Sequence, residues 1–347
     1  MPLISIIIPC YNAESYIMRC FNSLRQQTIG FENLELIFVD DASVDGTWTL
    51  LTQIEKEYPD QVIAIHSDEN MRQGGARNLG LSYASGSYIG FVDSDDWVEH
   101  DMYEKMYEKI SSQHADLVYC RHIRDHGTSD VTPAILEKRT CRNDQVYVID
   151  TEKKRADFIA SGCIGYNVWD KLYHRQFLQD HPFAFPAHLI YEDIYFGSLV
   201  YLYATRVCVL DEILYHYYVN ETSTVLCTNE AKHYDLFQIH ALKWEFLSRN
   251  SFLSRYPDAL TFDYIVTLYL TGCKIFSLRF ETFPYEAFQK MKADILSKFP
   301  DFRSNPYIST HLNEFYQLLI SFLSVPVDEK ALFMIQQEIK RYFGTDS

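Results

Sequence analysis

Short, apolar, β-branched runs alternate with segments of helical spacing over the first hundred residues of the chain. The runs that predict strands are 3–9, 34–39, 62–66 and 88–92, and the segments that predict helices are 15–27, 47–58 and 75–84. Strands and helices that alternate with short connections predict a parallel sheet covered by helices on both faces. Open sheets of this kind bind ligands beyond the carboxyl ends of their strands.

The pattern becomes less regular after residue 100. A helix is predicted over 101–112 and a strand over 115–120, and the polar stretch 125–144 is expected to form a surface excursion. A mixed segment follows from 151 to 214. From residue 230 onward, aromatic and aliphatic stripes recur at helical spacing in 231–249, 259–280, 284–298, 310–324 and 328–343. We therefore expect a helical subdomain to begin near residue 230.

Composition narrows the class of protein. The 347 residues include 31 Lys and Arg against 47 Asp and Glu, and 47% of them are hydrophobic. A chain of this length and apolar content can bury a sizeable core, which excludes intrinsic disorder as its main state. The formal charge of −16 lies almost entirely before residue 230, so this part is a poor binder of the nucleic-acid backbone.

The cysteines and the lengths of the apolar segments indicate in which cellular compartment the protein is expected. The eight cysteines form no CxxC pair, and several lie in apolar runs, which favours a reducing compartment. The first residues lack a basic region and reach a strand pattern at once, so we interpret them as structure and not as a signal peptide. The longest uncharged stretches, 264–273 and 315–327, fall short of the ~20 residues that a membrane span needs, which predicts a soluble or peripheral protein.

Acidic residues follow two of the predicted strands. One strand ends in Asp40 and Asp41, and another ends in the acidic tetrapeptide 93–96, with the sequence DSDD. Five carboxylates at one edge of a sheet repel each other unless a cation or hydrogen-bond donors compensate. Carboxylates with one residue between them can share Mg²⁺ or Mn²⁺ together with phosphate oxygens. The alternative is a solvated turn in which Asp96 caps a helix that begins near Trp97.

Three further segments fit a nucleotide site at the same edge. The strand-ending segment 5–12 carries aromatic and amide groups suited to a base, and 40–47 is a capped helix start. In 70–78, a glycine-containing turn leads into a helix that places Arg77 to meet a phosphate. Taken singly, each of these segments is more often structural than functional.

The ensemble resembles glycosyltransferase family two, the inverting sugar transferases with the GT-A fold. The matching strings are SIIIPCYNAESYI (5–17), LIFVDDASVDGT (36–47), ARNLGLSYASGSYIGFVDSDDWV (76–98), VWDKLYHRQFL (168–178) and YEDIYF (191–196). The order and spacing of five blocks make the resemblance specific over roughly residues 1–225. The helical region after residue 230 carries no motif of the family.

The resemblance implies an α/β fold of the GT-A type, with a Rossmann-like, mixed and mainly parallel sheet sandwiched by helices. Residues 1–228 would form the catalytic domain, in which 1–100 bind the nucleotide sugar and 101–228 form the acceptor side. Residues 229–347 would form a C-terminal helical subdomain. The implied donor is a UDP-sugar held with Mn²⁺ or Mg²⁺.

The resemblance also assigns residues to the donor. Asp95 would be the direct metal ligand with Asp93 nearby, and Arg77 would lie near the base or the diphosphate. The other residues implied to contact the nucleotide sugar are Pro9, Tyr11, Glu14, Asp40, Asp41 and Ser94. Arg72 departs from the family, which commonly has glycine there, and this changes the expected shape of the donor loop.

On the acceptor side, the pair Glu192 and Asp193 matches the family's acid pair, in which the aspartate is the usual general base. The structural alternative for this pair is a helix N-terminus that favours acids. Trp169 and Lys171 fall where the family often carries acceptor-side residues, although Trp169 fits a core position equally well. His216 is a candidate metal contact, with a structural histidine as the alternative.

The charges that develop during sugar transfer assign a role to each of these acidic residues. Asp193 would take the proton of the acceptor hydroxyl as its oxygen attacks from the face opposite the leaving diphosphate, which inverts the configuration. Glu192 beside it could raise the pKa of Asp193 by like-charge repulsion. A metal on Asp95 would offset the negative charge that builds on the diphosphate.

We therefore predict an inverting, metal-dependent hexosyl- or N-acetylhexosaminyltransferase that moves a single sugar from a UDP-sugar to a glycan or glycolipid acceptor. The resemblance implies bacterial cell-surface polysaccharide synthesis in the cytoplasm. Peripheral contact with the inner face of the membrane and self-association stay open. The alternative outside enzymes is a catalytically silent GT-A module that binds glycans or acts as a scaffold. A nucleotidyltransferase is disfavoured because the segment 9–14 has neither Gly nor Lys.

Overall fold

A computed structural model describes residues 2–125, 144–219 and 227–344 of the chain. The stretch expected to form a surface excursion lies almost entirely outside these residues. The chain divides into two compact units. The first comprises Met1–Asp150 and Cys163–Asn220, and the second comprises Thr151–Gly162 and Glu221–Ser347.

A nine-stranded sheet is the framework of the first unit within the described residues. Its strands are β1 (Ile4–Cys10), β2 (Leu34–Asp40), β3 (Val62–His66), β4 (Tyr88–Phe91), β5 (Trp97–Val98), β6 (Leu117–Asp125), β7 (Gln145–Val148), β8 (Lys171–His174) and β9 (Arg206–Tyr218). They lie in the order β3-β2-β1-β4-β8-β6-β9-β5, and β7 pairs with β9. The sheet is mixed: β1 to β4 are parallel, as are β6 and β9, whereas β8 is antiparallel to both of its neighbours.

The described residues contain fifteen α-helices. They are α1 (Ile17–Arg25), α2 (Thr47–Glu57), α3 (Arg72–Tyr83), α4 (Met102–Gln113), α5 (Glu152–Ser161), α6 (Arg175–Gln179), α7 (Glu192–Tyr203), α8 (Asp235–Arg249), α9 (Phe252–Arg255), α10 (Pro257–Tyr264), α11 (Thr271–Arg279), α12 (Tyr285–Lys298), α13 (Pro306–His311), α14 (Glu314–Ser321) and α15 (Glu329–Phe343). A π-helical turn, Ile265–Leu270, joins α10 to α11.

Helices cover both faces of the parallel part of the sheet, and every residue of β1 is therefore buried. Ile6 and Ile8 belong to the same apolar cluster as Phe21 of α1. On the opposite face, Ile7 approaches α3 so closely that a Cβ added at Gly80 would lie 2.5 Å from its side chain. This packing brings the carboxyl ends of β1, β2 and β4 together with the N-terminus of α3.

The predicted strands and helices of the first 120 residues are confirmed, with ends that differ by a few residues. The strands β7, β8 and β9 were not predicted individually: β8 and most of β9 lie in the segment 151–214, whose pattern was mixed, and β7 lies just before it. The expected helix 310–324 is divided into α13 and α14. The division occurs at Asn313, whose backbone is extended and whose side chain caps α14 by accepting from the Tyr316 N–H at 3.0 Å.

The second unit is helical. Aromatic and aliphatic side chains form its interior, and its fully buried members include Leu236, Ile265, Phe276 and Phe288. It also contains α5, which packs on α10, although α5 falls before residue 228 in the chain. The domain boundary between residues 228 and 229 stays a prediction. The second compact unit includes residues before this boundary, namely Thr151–Gly162, which contains α5, and the few residues from Glu221 to 228.

One helical run among the described residues has the length and apolar character that crossing a membrane requires. It extends over 23 residues, Pro257–Arg279, and 72% of its most apolar window is buried within the protein. The core helix of a globular domain passes the same test, so length and composition alone are weak evidence for a span here.

Candidate active site

The loop after β1 is fastened to the loop after β2 by a set of short hydrogen bonds. The Asn12 N–H donates to Ser43 Oγ at 2.9 Å, and Asn12 Oδ1 accepts from the Val44 N–H at 2.9 Å. Glu14 Oε2 accepts from the Gly46 N–H at 2.9 Å, at the start of α2. These contacts explain why Asn12 adopts a positive φ of 50°, a conformation that asparagine tolerates well. The two loops are therefore held in one arrangement before any ligand arrives.

Pro9 and Tyr11, which are both predicted to contact the nucleoside, differ in solvent exposure. Pro9 is buried in β1, in register with Val39 of β2. The ring of Tyr11, one residue beyond the strand, is 51% exposed. Tyr11 can therefore present a ring face to a base, whereas Pro9 supports the strand end beneath it.

Asp40 and Asp41 point to different neighbours. The buried Asp40 carboxylate lies 2.7 Å from Nδ1 of His66, at the end of the adjacent strand β3. Asp41 Oδ1 accepts from the N–H of Met71 at 2.7 Å, in the turn before α3. Burial raises the pKa of Asp41, while the backbone donors of Met71 and Arg72 lower it in part. Asp41 thus ties the end of β2 to the start of α3.

Arg77 lies at the centre of the site. It is only 2% exposed, on the buried side of α3. Its Nη2 donates to Asp93 Oδ1 at 2.7 Å, and its Nη1 donates to the carboxylate of Glu192. One guanidinium therefore joins the end of β4 to the start of α7, which are distant in the chain.

The segment before α7 lies directly on α3. The side-chain amide of Asn78 both donates to the carbonyl of Phe185 at 2.8 Å and accepts from its N–H at 2.9 Å. The N–H of His188 donates to the carbonyl of Met71 at 2.9 Å. A Cβ added at Gly74 would lie 2.5 Å from the carbonyl oxygen of Pro186, so only glycine permits this approach.

Glu192 and Asp193 occupy the first turn of α7, after Tyr191 in a left-handed conformation with φ 68°. Burial raises the pKa of Glu192, and the charge of Arg77 opposes that rise. Asp193 is partly accessible to solvent. Removal from water, followed by the neighbouring charge of Glu192, raises its pKa to about 7. A carboxyl group with this pKa can accept and release a proton near neutrality.

The acidic tetrapeptide 93–96 divides into two parts. Asp93, 13% exposed, is held by Arg77, and Ser94 and Asp95 are partly exposed beyond it. Asp96 is fully buried; its Oδ2 accepts from the Tyr215 hydroxyl at 2.5 Å and its Oδ1 from the Tyr218 N–H at 2.7 Å. The alternative in which Asp96 caps a helix was wrong. Residues 97–98 form β5, and the carboxylate of Asp96 instead anchors the turn to β9.

The donor set available to a metal ion is small. Within residues 2–125, 144–219 and 227–344, no three His, Cys, Asp or Glu side chains are grouped to hold an ion. Asp95 and Asp93 offer hard carboxylate oxygens, and this fits a Mg²⁺ or Mn²⁺ ion that completes its shell with phosphate oxygens and water. His216 Nε2 lies 2.7 Å from Glu99 Oε1, and its ring stacks on Trp97 at 4.9 Å. A contact of His216 with a metal stays a prediction.

The two acceptor-side candidates are buried. Trp169, 8% exposed, stacks on Tyr215 with ring centroids 4.4 Å apart. The ammonium of Lys171 donates to the carboxylate of the buried Asp170 at 2.7 Å and to the carbonyl of Asn167. Both side chains would have to leave these partners to contact an acceptor, so their assignment to the acceptor stays a prediction that the geometry does not favour.

Several residues of the site were not predicted. Asn78 fastens the acid-pair segment to α3, His66 pairs with Asp40, and Arg19 donates to the backbone of the acidic tetrapeptide. Asn78 lies within the string ARN that carried the resemblance, so its neighbour Arg77 offered a local hint. His66 and Arg19 have no signal in the sequence, because their partners come from other strands.

Comparison with solved structures identifies the fold class of the protein. The crystal structure of residues 1–349 of TarS from Staphylococcus aureus, in complex with UDP-GlcNAc, superposes with a TM-score of 0.66 at 21% identity, over 99% of this chain and 92% of that chain. The mannosyltransferase PcManGT from Pyrobaculum calidifontis, in complex with GDP-Man and Mn²⁺, gives a TM-score of 0.53 at 13% identity, over 99% and 87%. At these identities the likeness shows the fold, which is the GT-A fold of sugar transferases, as predicted.

Sequence comparison then finds a family profile and several relatives that match this chain. Residues 5–168 match the profile of Glycosyl transferase family 2. The glycosyltransferase EpsH of Bacillus subtilis is 29% identical over 79% of this chain and 77% of its own length. The poly(ribitol-phosphate) β-N-acetylglucosaminyltransferase TarS of S. aureus is 30% identical over 61% of this chain, although the match spans only 35% of TarS. Residues 5–168 thus resemble glycosyl transferase family 2, and the relatives to which the chain is similar are named as glycosyltransferases.

Proposed function

We propose that the protein is an inverting, metal-dependent glycosyltransferase that moves one sugar from a UDP-sugar to a glycan or lipid-linked acceptor. The observation that carries the proposal is the buried bridge from Asp93 through Arg77 to Glu192, beside Asp193 with a pKa of about 7. It connects the residues expected to hold the donor with the residue expected to accept a proton.

The donor half is supported by the arrangement at the carboxyl edge of the sheet. Tyr11 is exposed beside the fastened loops, and Asp41 is held at the start of α3. The guanidinium of Arg77, paired with Glu192, fixes the carboxylate of Asp93 at the edge where a diphosphate would lie. Asp95, with Asp93 beside it, would hold the divalent cation, which when bound offsets the negative charge of the diphosphate.

The acceptor half follows from the position of Asp193. An acceptor hydroxyl oxygen forms the new bond to the anomeric carbon, the bond from that carbon to the diphosphate oxygen breaks, and UDP leaves with the electron pair. The proton of the hydroxyl passes to the Asp193 carboxylate. Attack from the face opposite the leaving group inverts the configuration. Glu192 is paired with Arg77 and keeps its negative charge. Because this charge lies beside Asp193, it maintains the basicity of the Asp193 carboxylate.

The relatives support the substrate class and the setting. One is a poly(ribitol-phosphate) β-glucosyltransferase and another a β-N-acetylglucosaminyltransferase. We therefore propose a hexose or N-acetylhexosamine as the transferred sugar, and cell-surface polysaccharide synthesis in the cytoplasm, at or near the inner face of the membrane. We further propose that residues 1–100 bind the donor, 101–228 form the acceptor side and 229–347 are an accessory helical subdomain.

The proposal is tested by following nucleotide release from UDP-, GDP- and dTDP-sugars with Mn²⁺ or with EDTA. The variants are Asp95→Ala and Asp193→Asn, and Asp60→Asn, in an exposed turn after α2, is the matched control. We expect Mn²⁺-dependent release of UDP from one UDP-sugar, lost in Asp95→Ala and unchanged in Asp60→Asn. Asp193→Asn should retain UDP binding and lose transfer.

The alternative outcomes separate the rival functions. Glycan binding that survives both EDTA and Asp193→Asn, with no turnover of any donor, would favour a silent GT-A module. No binding of any nucleotide sugar would reject the proposed donor. When an acceptor is found, the anomeric configuration of the product, measured by NMR, decides whether the reaction inverts.

A further inference from the structure

Arg19, on α1, lies against the acidic tetrapeptide. Its Nη2 donates to the carbonyl oxygen of Asp95 at 2.6 Å. Its Cζ lies 4.1 Å from the centroid of the Trp97 ring and 4.4 Å from that of the Tyr218 ring. The guanidinium therefore contacts both rings, whose planes are inclined by 49°, and at the same time donates to the turn that carries Asp95.

Among the residues that the structure describes, Arg19 has no ion-pair partner. Across the described ranges, no carboxylate lies within ion-pair distance of its guanidinium, and its Nε is buried without a hydrogen-bond partner. A buried donor left unsatisfied costs free energy. An aliphatic side chain could fill the same space between the rings without that cost. Packing alone therefore does not explain an arginine at this position.

The turn that Arg19 contacts is fixed from both sides. On the side of α1, Arg19 holds the carbonyl of Asp95. On the side of β9, Asp96 accepts from the N–H of Tyr218 and from the hydroxyl of Tyr215. With the peptide groups on either side of the turn held, the direction in which the Asp95 side chain leaves the backbone is determined.

We propose that Arg19 is a positioning residue for the donor site: it orients Asp95 before the divalent cation and the nucleotide diphosphate bind. The inference rests on the proposed function. Arginine suits this role because its planar guanidinium can stack between two rings while it donates in its own plane, which an ammonium cannot do. The contact that Arg19 makes with the donor site is its hydrogen bond to the backbone of Asp95, so in this proposal it acts through Asp95.

The test measures binding separately from turnover. UDP binding to the full chain is measured by calorimetry with Mn²⁺ and with EDTA, for wild type, Arg19→Lys and Arg19→Met. Arg25→Met is the matched control. Arg25 lies on the same helix, and its guanidinium also faces aromatic rings, 5.8 Å from Tyr58, but it has no contact with the acidic tetrapeptide. Thermal unfolding of each variant reports whether the fold is intact.

We expect both Arg19 variants to weaken Mn²⁺-dependent UDP binding by about tenfold, with binding in EDTA unchanged and Arg25→Met like wild type. Arg19→Lys keeps the charge and the fold should tolerate it, so it decides the question if Arg19→Met fails to fold. Unchanged binding in Arg19→Lys, or equal losses with and without Mn²⁺, would overturn the proposal. If wild type shows no gain from Mn²⁺, the metal-dependent function itself fails, which is a distinct result.

Discussion

Arg77 and Glu192 are 115 residues apart in the chain and form a buried ion pair. The same guanidinium also holds Asp93 at 2.7 Å. A cation shared between two carboxylates in the interior compensates charges that would otherwise be very costly to bury. The pair therefore links stability to function, because the residues that it holds are those proposed to bind the donor and to support the base.

Arg77→Met should destabilise the fold by about 3–5 kcal/mol, because it leaves two buried carboxylates without their cation. Urea unfolding measures the change, and Arg25→Met, at an exposed position on α1, is the control. Arg77→Lys should recover part of the stability, since it restores one charge but not the two-pronged geometry. An unchanged urea midpoint for Arg77→Met would show that the bridge carries no net stability.

The pKa of about 7 for Asp193 predicts the pH dependence of transfer. The base must be unprotonated to accept the acceptor's proton, so kcat/KM should rise with pH through about 7 and then level off. Initial rates measured between about pH 5 and 9 test this expectation. A flat profile over that range, in an enzyme that remains folded and saturated with metal, would assign proton removal to another group.

The same raised pKa predicts an effect of pH on stability. An unfolded aspartate has a pKa of about 3.9, so between that value and about 7 the folded protein binds more protons at Asp193 than the unfolded chain does. The contribution of this carboxyl to the free energy of unfolding therefore falls as pH rises through that window. Asp193→Asn should flatten the fall, as urea midpoints at several pH values will reveal. Identical pH dependence in both proteins would contradict the prediction.

Gly74→Ala should reduce activity more than stability. The added Cβ would lie 2.5 Å from the carbonyl of Pro186 and 3.1 Å from the Cγ of Glu192, so the segment that leads into the acid pair must move. We expect a loss of about a hundredfold in kcat with donor affinity nearly unchanged. Gly162→Ala is the control away from the site: an added Cβ meets nothing within 4 Å there, and its φ of +55° makes alanine cost stability through backbone strain without any clash. Equal activities of the two variants would remove the steric explanation.

Lys171→Met tests whether Lys171 belongs to the interior or to the acceptor site. Because the replacement leaves Asp170 buried without its ammonium partner, we expect a destabilisation of about 3–5 kcal/mol. The double variant Asp170→Asn with Lys171→Met should regain much of that stability, and its KM for the acceptor should match wild type. A raised acceptor KM in a stable double variant would instead support the acceptor role.

The first 120 residues were predictable because their signals are local. The strands β1 and β2 are almost fully buried and consist mainly of apolar residues, and α1 places its apolar residues on one buried face. The strand β9 was not predicted as such. It is 13 residues long, with polar positions at Asp211 and Glu212 and a register shift against β6 between Cys120 and His122. A bulged strand of this kind breaks the alternation that a period of two requires.

The sequence predicted many of the residues that belong to the candidate site, but not how these residues contact one another. The strand ends carrying Asp41, Asp93 and Asp95 could be placed at one edge from strand order alone. The pairing of His66 with Asp40 requires the register of β2 against β3, which local pattern does not contain. The sequence left a core position open for Trp169, and its stacking on Tyr215 of β9 decides it. The burial of Lys171 depends on the pairing of β8 with β4 and β6, which local pattern does not contain.

The sequence by itself determined the alternating architecture, the resemblance to glycosyltransferase family two and the residue types that gather at the carboxyl edge of the sheet. These follow from periodicity and from short motifs, which act over a few residues. Only the tertiary structure decided that Arg77 joins Asp93 to Glu192, that Asp96 anchors β9 and that Arg19 holds the turn of Asp95. The physical reason is that burial, charge pairing and the resulting pKa of Asp193 depend on neighbours far away in the chain.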